Sequence, residues 1–214
     1  FLSIPEPDEQ DLTETAITIA NTYNNLGQAN SELFTGLAKT YYEYKKQLAQ
    51  SNKELEDYHG ARDFYHLIKE TAKKLLKNPA LGDIKALAST VNNALERNFG
   101  GLPNSVLHIK ELCNKKLPDL GLKPTSEYKV LDCLEDSLID NDSRYSLIIA
   151  KSALSPIIVT NILTRMKKDY VFLSGSQFEG DLLSEEYSLN VLNQITSYMN
   201  EPKVLILQHM EGLY

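Results

Sequence analysis

Leu117-Pro118-Asp119-Leu120-Gly121-Leu122-Lys123-Pro124-Thr125-Ser126-Glu127 is the stretch on which the reading of this chain turns. It sets two prolines and a glycine between periodic segments, which is loop chemistry. Upstream of it apolar residues recur at helical spacing; downstream, short continuous apolar runs take over. The change of period predicts a boundary, with residues 1–117 and 128–214 as separate regions and 118–127 as a linker.

Working upstream, Pro5-Glu6-Pro7-Asp8 supplies helix-start residues. Leu12, Ala16, Ile19, Ala20 and Tyr23 then follow on one helical face, with Gly27 expected to end the helix. A second helix starts near Asn30-Ser31 and carries Leu33, Phe34, Leu37, Ala38, Tyr41, Tyr44 and Leu48. A third runs from Ala61 to about Lys77 with Phe64, Ile68, Ala72, Leu75 and Leu76 inward, closed by Asn78-Pro79. Asp83 is placed to cap a fourth, with Ile84, Leu87, Ala88, Val91, Ala94 and Leu95 on its apolar face and Gly100-Gly101 as a left-handed exit. Asn104-Ser105 would cap a fifth that carries Val106, Ile109, Leu112 and Cys113. Consecutive amphipathic helices with short connections predict a helical bundle.

Downstream, Val130, Leu134 and Leu138 suggest a short helix. Tyr145–Ala150, Tyr170–Leu173 and Lys203–Leu207 read as strands. Between them Ser155-Pro156 would cap a helix to about Lys168, and another runs from Tyr187 to Asn200. Near-continuous apolar strands alternating with helices predict a buried parallel sheet. The fold class is therefore mainly α with a partial α/β half.

Bulk properties exclude several functions. The 214 residues carry a net charge of −7 with no Lys/Arg stripe, which argues against nucleic-acid binding, since phosphate neutralisation supplies most of such affinity. Lys73, Lys74 and Lys77 read as a solvated helix face. No apolar run reaches the ~18–20 residues that cross a bilayer, and Phe1–Ile4 lacks the charged start of a signal peptide. Cys113 and Cys133 stand alone, which fits a reducing compartment, the cytoplasm. His59, His66, His108 and His209 form neither HxxxH nor HExxH, so no metal site is expected. The chain opens on Phe1 and closes just after an apolar run, and is expected to be an internal piece of a larger protein.

The motif search yields little catalytic chemistry. Lys151-Ser152-Ala153-Leu154-Ser155-Pro156 follows the first expected strand but has no glycine to let backbone N–H groups converge on phosphate. After the third expected strand, Leu207-Gln208-His209-Met210-Glu211 puts His209 where a magnesium-holding Asp would be useful, and only Glu211 is acidic. Ser174-Gly175-Ser176 is not GxSxG and reads as a turn. Arg62 is more informative. It stands in the first turn of a helix, where a cation opposes the macrodipole, so its partner is either an external anion or a neighbouring carboxylate, Asp57 or Asp63.

Four segments carry a resemblance. His59-Gly60-Ala61-Arg62-Asp63-Phe64-Tyr65-His66-Leu67-Ile68-Lys69 resembles the G-x-R-D-(F/Y)-Y-x-L-(I/V)-K segment of the mysterin family, giant RING-finger ubiquitin ligases with a dynein-like row of AAA+ modules. Ala94-Leu95-Glu96-Arg97-Asn98-Phe99-Gly100-Gly101 is similar to that family's R-N-F-G-G helix end. Arg144–Ala150 looks like its R-(Y/F)-L-x-L-I strand, and Leu205–Tyr214 like its L-I-L-x-D-L-E-x-(I/L)-Y. The four occur in family order.

The resemblance implies that residues 1–117 end one AAA+ module, with Phe1–Ile4 as its last core strand and the helices as its lid. Arg62 would match the sensor-2 arginine, which reaches the γ-phosphate of ATP bound by core residues outside this chain. Residues 128–214 would begin the next module, ATPase-dead because the phosphate loop is missing and His209 replaces an Asp. ATP, magnesium and the RING zinc would belong to the parent hydrolase and transferase, and no catalytic residue is expected here. Its partners would be neighbouring AAA+ modules and, through the parent, the ubiquitin machinery. Two other readings stay open: a free-standing helical interaction scaffold, and a small-molecule α/β enzyme using the loops after Leu173 and Leu207. The second lacks a legible nucleophile–base pair.

Overall fold

Leu33, Phe34, Leu37, Ala38, Tyr41 and Tyr44 form a buried stripe along α3 (Ser31–Ser51), the helix around which the N-terminal half is organised. The computed structural model describes residues 6–51, 55, 58–77, 83–102, 104–123, 129–139, 145–150 and 154–210. It divides into two units, Phe1–Cys133 and Leu134–Tyr214.

In the first unit α1 (Glu9–Asn21) packs on α3 through Leu12, Ala16 and Ala20. Its start is fixed by a capping box: Asp8 accepts the Asp11 N–H at 2.8 Å, and Asp11 accepts the Asp8 N–H at 3.1 Å. Then come α2 (Leu26–Ala29), α4 (Ala61–Lys77), α5 (Ile84–Phe99) and α6 (Ser105–Lys116). α4 packs on α5, and α6 on both α3 and α5. Phe64, Leu67, Ile68, Val91, Leu95, Phe99 and Ile109 are fully buried between these helices. Each such side chain contributes about 1.5–3 kcal/mol of transfer free energy. The mainly α expectation holds.

Several details differ from expectation. The first helix stops at Asn21 rather than Gly27, because Asn24 and Asn25 turn left-handed (φ 53° and 57°). Gly27 lies inside α2, where the Ile17 carbonyl leaves no room for a Cβ. Gly100 is right-handed (φ −77°), so Gly100-Gly101 is not the left-handed exit. Gly101 is needed for close approach instead: the Tyr58 hydroxyl sits 2.6 Å from where a Cβ would stand. The left-handed residue before α6 is Asn104 (φ 62°), whose side chain caps nothing, while the Ser105 hydroxyl turns back to the Phe99 and Leu102 carbonyls. Asp83 does cap α5, accepting the Lys85 N–H at 2.9 Å. Leu76 falls off the α4 face set by 64, 67, 68, 71, 72 and 75, and Ile84 precedes the α5 face; both are exposed.

The described part of the proline-glycine stretch is a strap on the helical unit. Pro118–Leu120 forms a 3-10 turn, Leu120 and Leu122 enter the helical core, and Asn114 bonds both the N–H and the carbonyl of Leu122 at 2.8 Å. The division between units falls inside α7 (Val130–Ile139).

The second unit holds α8 (Ser155–Arg165), β1 (Tyr170–Ser174), α9 (Glu179–Leu182), α10 (Glu185–Met199) and β2 (Val204–Gln208). β1 and β2 pair in parallel, from Tyr170↔Val204 to Ser174↔Gln208. α8 begins at Ser155, which lies inside the helix rather than capping it, and Leu154 before it makes no side-chain cap. Pro156 stands in the first turn, and the helix ends before Lys168, where Lys167 turns left-handed (φ 53°). Ser184 caps α10 by accepting the Tyr187 N–H. The expected strand at Tyr145–Ala150 is absent. The run has no ladder partner among the described residues, and Tyr145, Leu147 and Ile149 are 84%, 84% and 90% exposed. An apolar run becomes a strand only when a neighbour offers its edge and a layer covers its face. The expectations placed on Phe1–Ile4, Asn78-Pro79, Arg144, Lys151-Ser152 and Glu211 lie outside the described residues.

Candidate functional site

Arg62 occupies the first turn of α4, next to a residue already committed. The Asp63 carboxylate accepts the Gly60 N–H at 2.9 Å, while the Asp63 and Phe64 N–H groups donate to the Gly60 carbonyl at 3.1 and 3.4 Å. An acid here is stabilised by the positive end of the helix, and its oxygen is spent on the backbone. Arg62 itself is exposed, and no hydrogen bond or ion pair reaches it among the described residues. Asp57, the other candidate partner, lies outside those residues.

The turn that presents Arg62 is held from beneath. His59 is 3% exposed, its Nδ1 lies 2.7 Å from the Tyr44 hydroxyl, and its carbonyl accepts from Tyr41 at 3.3 Å. Its ring lies 5.0 Å from both Phe99 and Tyr58, and Tyr58 donates to the Gly101 carbonyl at 3.4 Å. Tyr41 stacks on Phe64 at 4.9 Å. The segments 59–69 and 94–101, apart in sequence, thus meet at the start of α4. Burial pushes the His59 imidazole below its ordinary range, against an opposing pull from Asp63. Burial, reinforced by Asp63, raises the Tyr44 phenol to about 12 and raises Tyr41 as well.

The polar residues of the second segment work inward. Glu70 of α4 receives Arg97 at 3.4 Å and Asn98 at 3.1 Å, and also pairs with Lys74 at 2.9 Å. Lys110 of α6 forms a buried ion pair with Glu96, which also accepts from Asn92 at 3.1 Å. Both sets join helices, and neither is aimed at solvent.

A second polar cluster stands at the C-terminal ends of the strands, where α/β sheets commonly bind ligands. The Gly175 N–H donates to Gln208 at 2.8 Å. The Ser176 hydroxyl donates to Asp181 at 2.6 Å, and the Ser176 N–H to the Tyr187 hydroxyl. His209, left-handed at φ 55°, pairs through Nδ1 with Gln177 at 3.1 Å. Ser176 and His209 are therefore committed to different partners and form no nucleophile–base pair. Among the described residues of the cluster the Asp181 carboxylate is engaged with Ser176, and Glu211 lies outside those residues. Among the described residues no group of three or more His, Cys, Asp or Glu side chains could hold a metal ion.

Comparison with known proteins adds one match. Residues 135–214 match the family model for the RNF213 AAA domain, and the match begins one residue after the structural division at Leu134. It supports an AAA region of RNF213 type over the second unit and leaves the helical unit unaddressed. No curated protein and no solved structure matches the chain. No described helix is long and apolar enough to cross a membrane.

Proposed function

We propose that the chain is part of the AAA+ core of a mysterin-like ubiquitin ligase, the helical unit acting as the lid of one module and the second unit opening the next. In this reading Arg62 senses ATP and magnesium bound by core residues outside these 214, and the helices relay that state to the neighbouring module. The second unit is a structural member, since no glycine-lysine phosphate loop occurs in the sequence and His209 stands where a magnesium-holding Asp would be useful. RING zinc and ubiquitin transfer would reside elsewhere in the parent, in the cytoplasm.

The observation that carries the reading is the start of α4. Two segments that resemble the family converge there and hold a turn whose arginine projects outward while the adjacent Asp63 is spent on Gly60. A charge-assisted contact to phosphate contributes about 1.5–3 kcal/mol. In the parent, Arg62→Ala is therefore expected to weaken ATP affinity or hydrolysis by about ten- to a hundredfold at matched thermal stability. Unchanged nucleotide handling would refute the sensor role. Residues 1–214 alone are expected to show no ATP turnover above buffer, because phosphoryl transfer needs a preorganised phosphate cradle.

A further inference from the structure

His59 is a buried imidazole in the turn that leads into α4. It reaches α3 through Tyr44 at Nδ1, the end of α5 through Phe99, and Tyr58 beside it, while its own carbonyl is held by Tyr41. The next residue, Gly60, supplies the carbonyl that the first turn of α4 is hung on.

We propose that His59 is the pin of a pH-sensitive latch: neutral, it fixes the first turn of α4 onto α3 and the end of α5; protonated, it leaves its pocket and frees that turn. The neutral ring satisfies Tyr44 with one hydrogen bond. The imidazolium would carry two donors and a charge among the Tyr44, Tyr58 and Phe99 rings.

Among the described residues the groups that bear on it are few. α3 presents Tyr41, Tyr44 and Lys45; α4 presents Asp63; α6 presents His108, edge-on to Tyr44 and bonded to Gln47 at 2.8 Å; α5 presents the uncharged Phe99. Tyr44 stays protonated throughout and cannot act as a counter-charge; Asp63, held by Gly60, pulls the imidazole up, and Lys45 opposes it. Desolvation therefore wins over Asp63, and the folded imidazole lies below its unfolded value. The folded state then binds fewer protons, so the latch is fully closed above the ordinary imidazole value of about 6.5. It weakens as pH falls through that value toward the lowered one.

Hydrogen exchange on residues 1–214 at about pH 7.5 and about pH 5.5, corrected for intrinsic rates, reads the latch without any nucleotide. Its outcome is thus separate from that of the sensor reading. The Asp63 and Phe64 amides, which donate to Gly60, are expected to lose protection at the lower pH, by up to about tenfold per pH unit, while α1 keeps its own. His59→Phe should remove that dependence. Constant protection in the unaltered chain, or a pH-dependent loss that survives His59→Phe, overturns the proposal. If His59→Phe does not fold, the unaltered ring is titrated by NMR. A depressed midpoint at which the Asp63 and Phe64 amide signals also move supports the latch; an ordinary midpoint with those signals still refutes it.

Discussion

The two units share a chain but not a way of burying apolar surface. In the first, Phe34, Leu37, Phe64, Ile68, Leu95 and Phe99 have no solvent contact. In the second, the buried hydrophobics among the described residues are Val159, Ile162 and Leu163, all on α8, and α10 buries none. The difference follows from the elements used. A helix satisfies its own backbone and needs one covered stripe, so neighbouring helices close a core locally. A parallel sheet needs neighbours at its edges and layers on both faces, and a pair of strands is marginal by itself.

Truncation should expose that contrast most strongly. Phe64→Ala, in the closed core, is expected to cost about 3–5 kcal/mol in urea unfolding. Phe172→Ala on β1, where the residue is 41% exposed, should cost about 1 kcal/mol or less. Equal losses would mean that β1 is covered in solution as fully as α4. A comparable effect is expected from Lys110→Met, which removes the cation paired with the buried Glu96 carboxylate and should cost about 3–5 kcal/mol. Adding Glu96→Leu should restore most of it, because replacing both members of a buried pair is often near neutral. A double variant as weak as the single would show that the pair organises the α5–α6 contact by more than charge.

How much of this was legible in the sequence depended on whether the signal was local. The α3 and α4 stripes were readable because period 3.6 is written in neighbouring residues, and Asp83 announced itself as a cap. Tyr145–Ala150 misled because an apolar run records hydrophobicity but not the partner strand that would pair with it. Leu117–Lys123 looked like a linker because Pro and Gly mark a turn without saying what the turn packs on, and Leu120 and Leu122 were the overlooked sign of burial. His59 with Tyr44, and Glu96 with Lys110, were invisible as pairs, since each joins residues 14 or 15 apart on different elements. Limited chymotrypsin digestion separates the two stretches. Cleavage after Tyr145 or Leu147 should precede cleavage after Leu120 or Leu122, and the reverse order would make the strap the looser segment.

The smallest expected effect is on the residue with the largest proposed role. Arg62 is exposed and stands at the positive end of α4, where a cation is disfavoured by about 0.3–1 kcal/mol. Alanine relieves that repulsion and is the better helix former. Arg62→Ala should therefore leave the stability of residues 1–214 within about 0.5 kcal/mol of the unaltered chain, or raise it slightly. Asp63→Ala, one position later, removes the carboxylate that caps Gly60 and should cost about 0.5–2 kcal/mol. The neighbours thus test opposite assignments, one to the turn itself and one to something beyond it. A loss above about 1 kcal/mol at Arg62 would be more than an exposed side chain contributes. It would return the arginine to an internal carboxylate such as Asp57 and remove the outward reach on which the sensor reading rests.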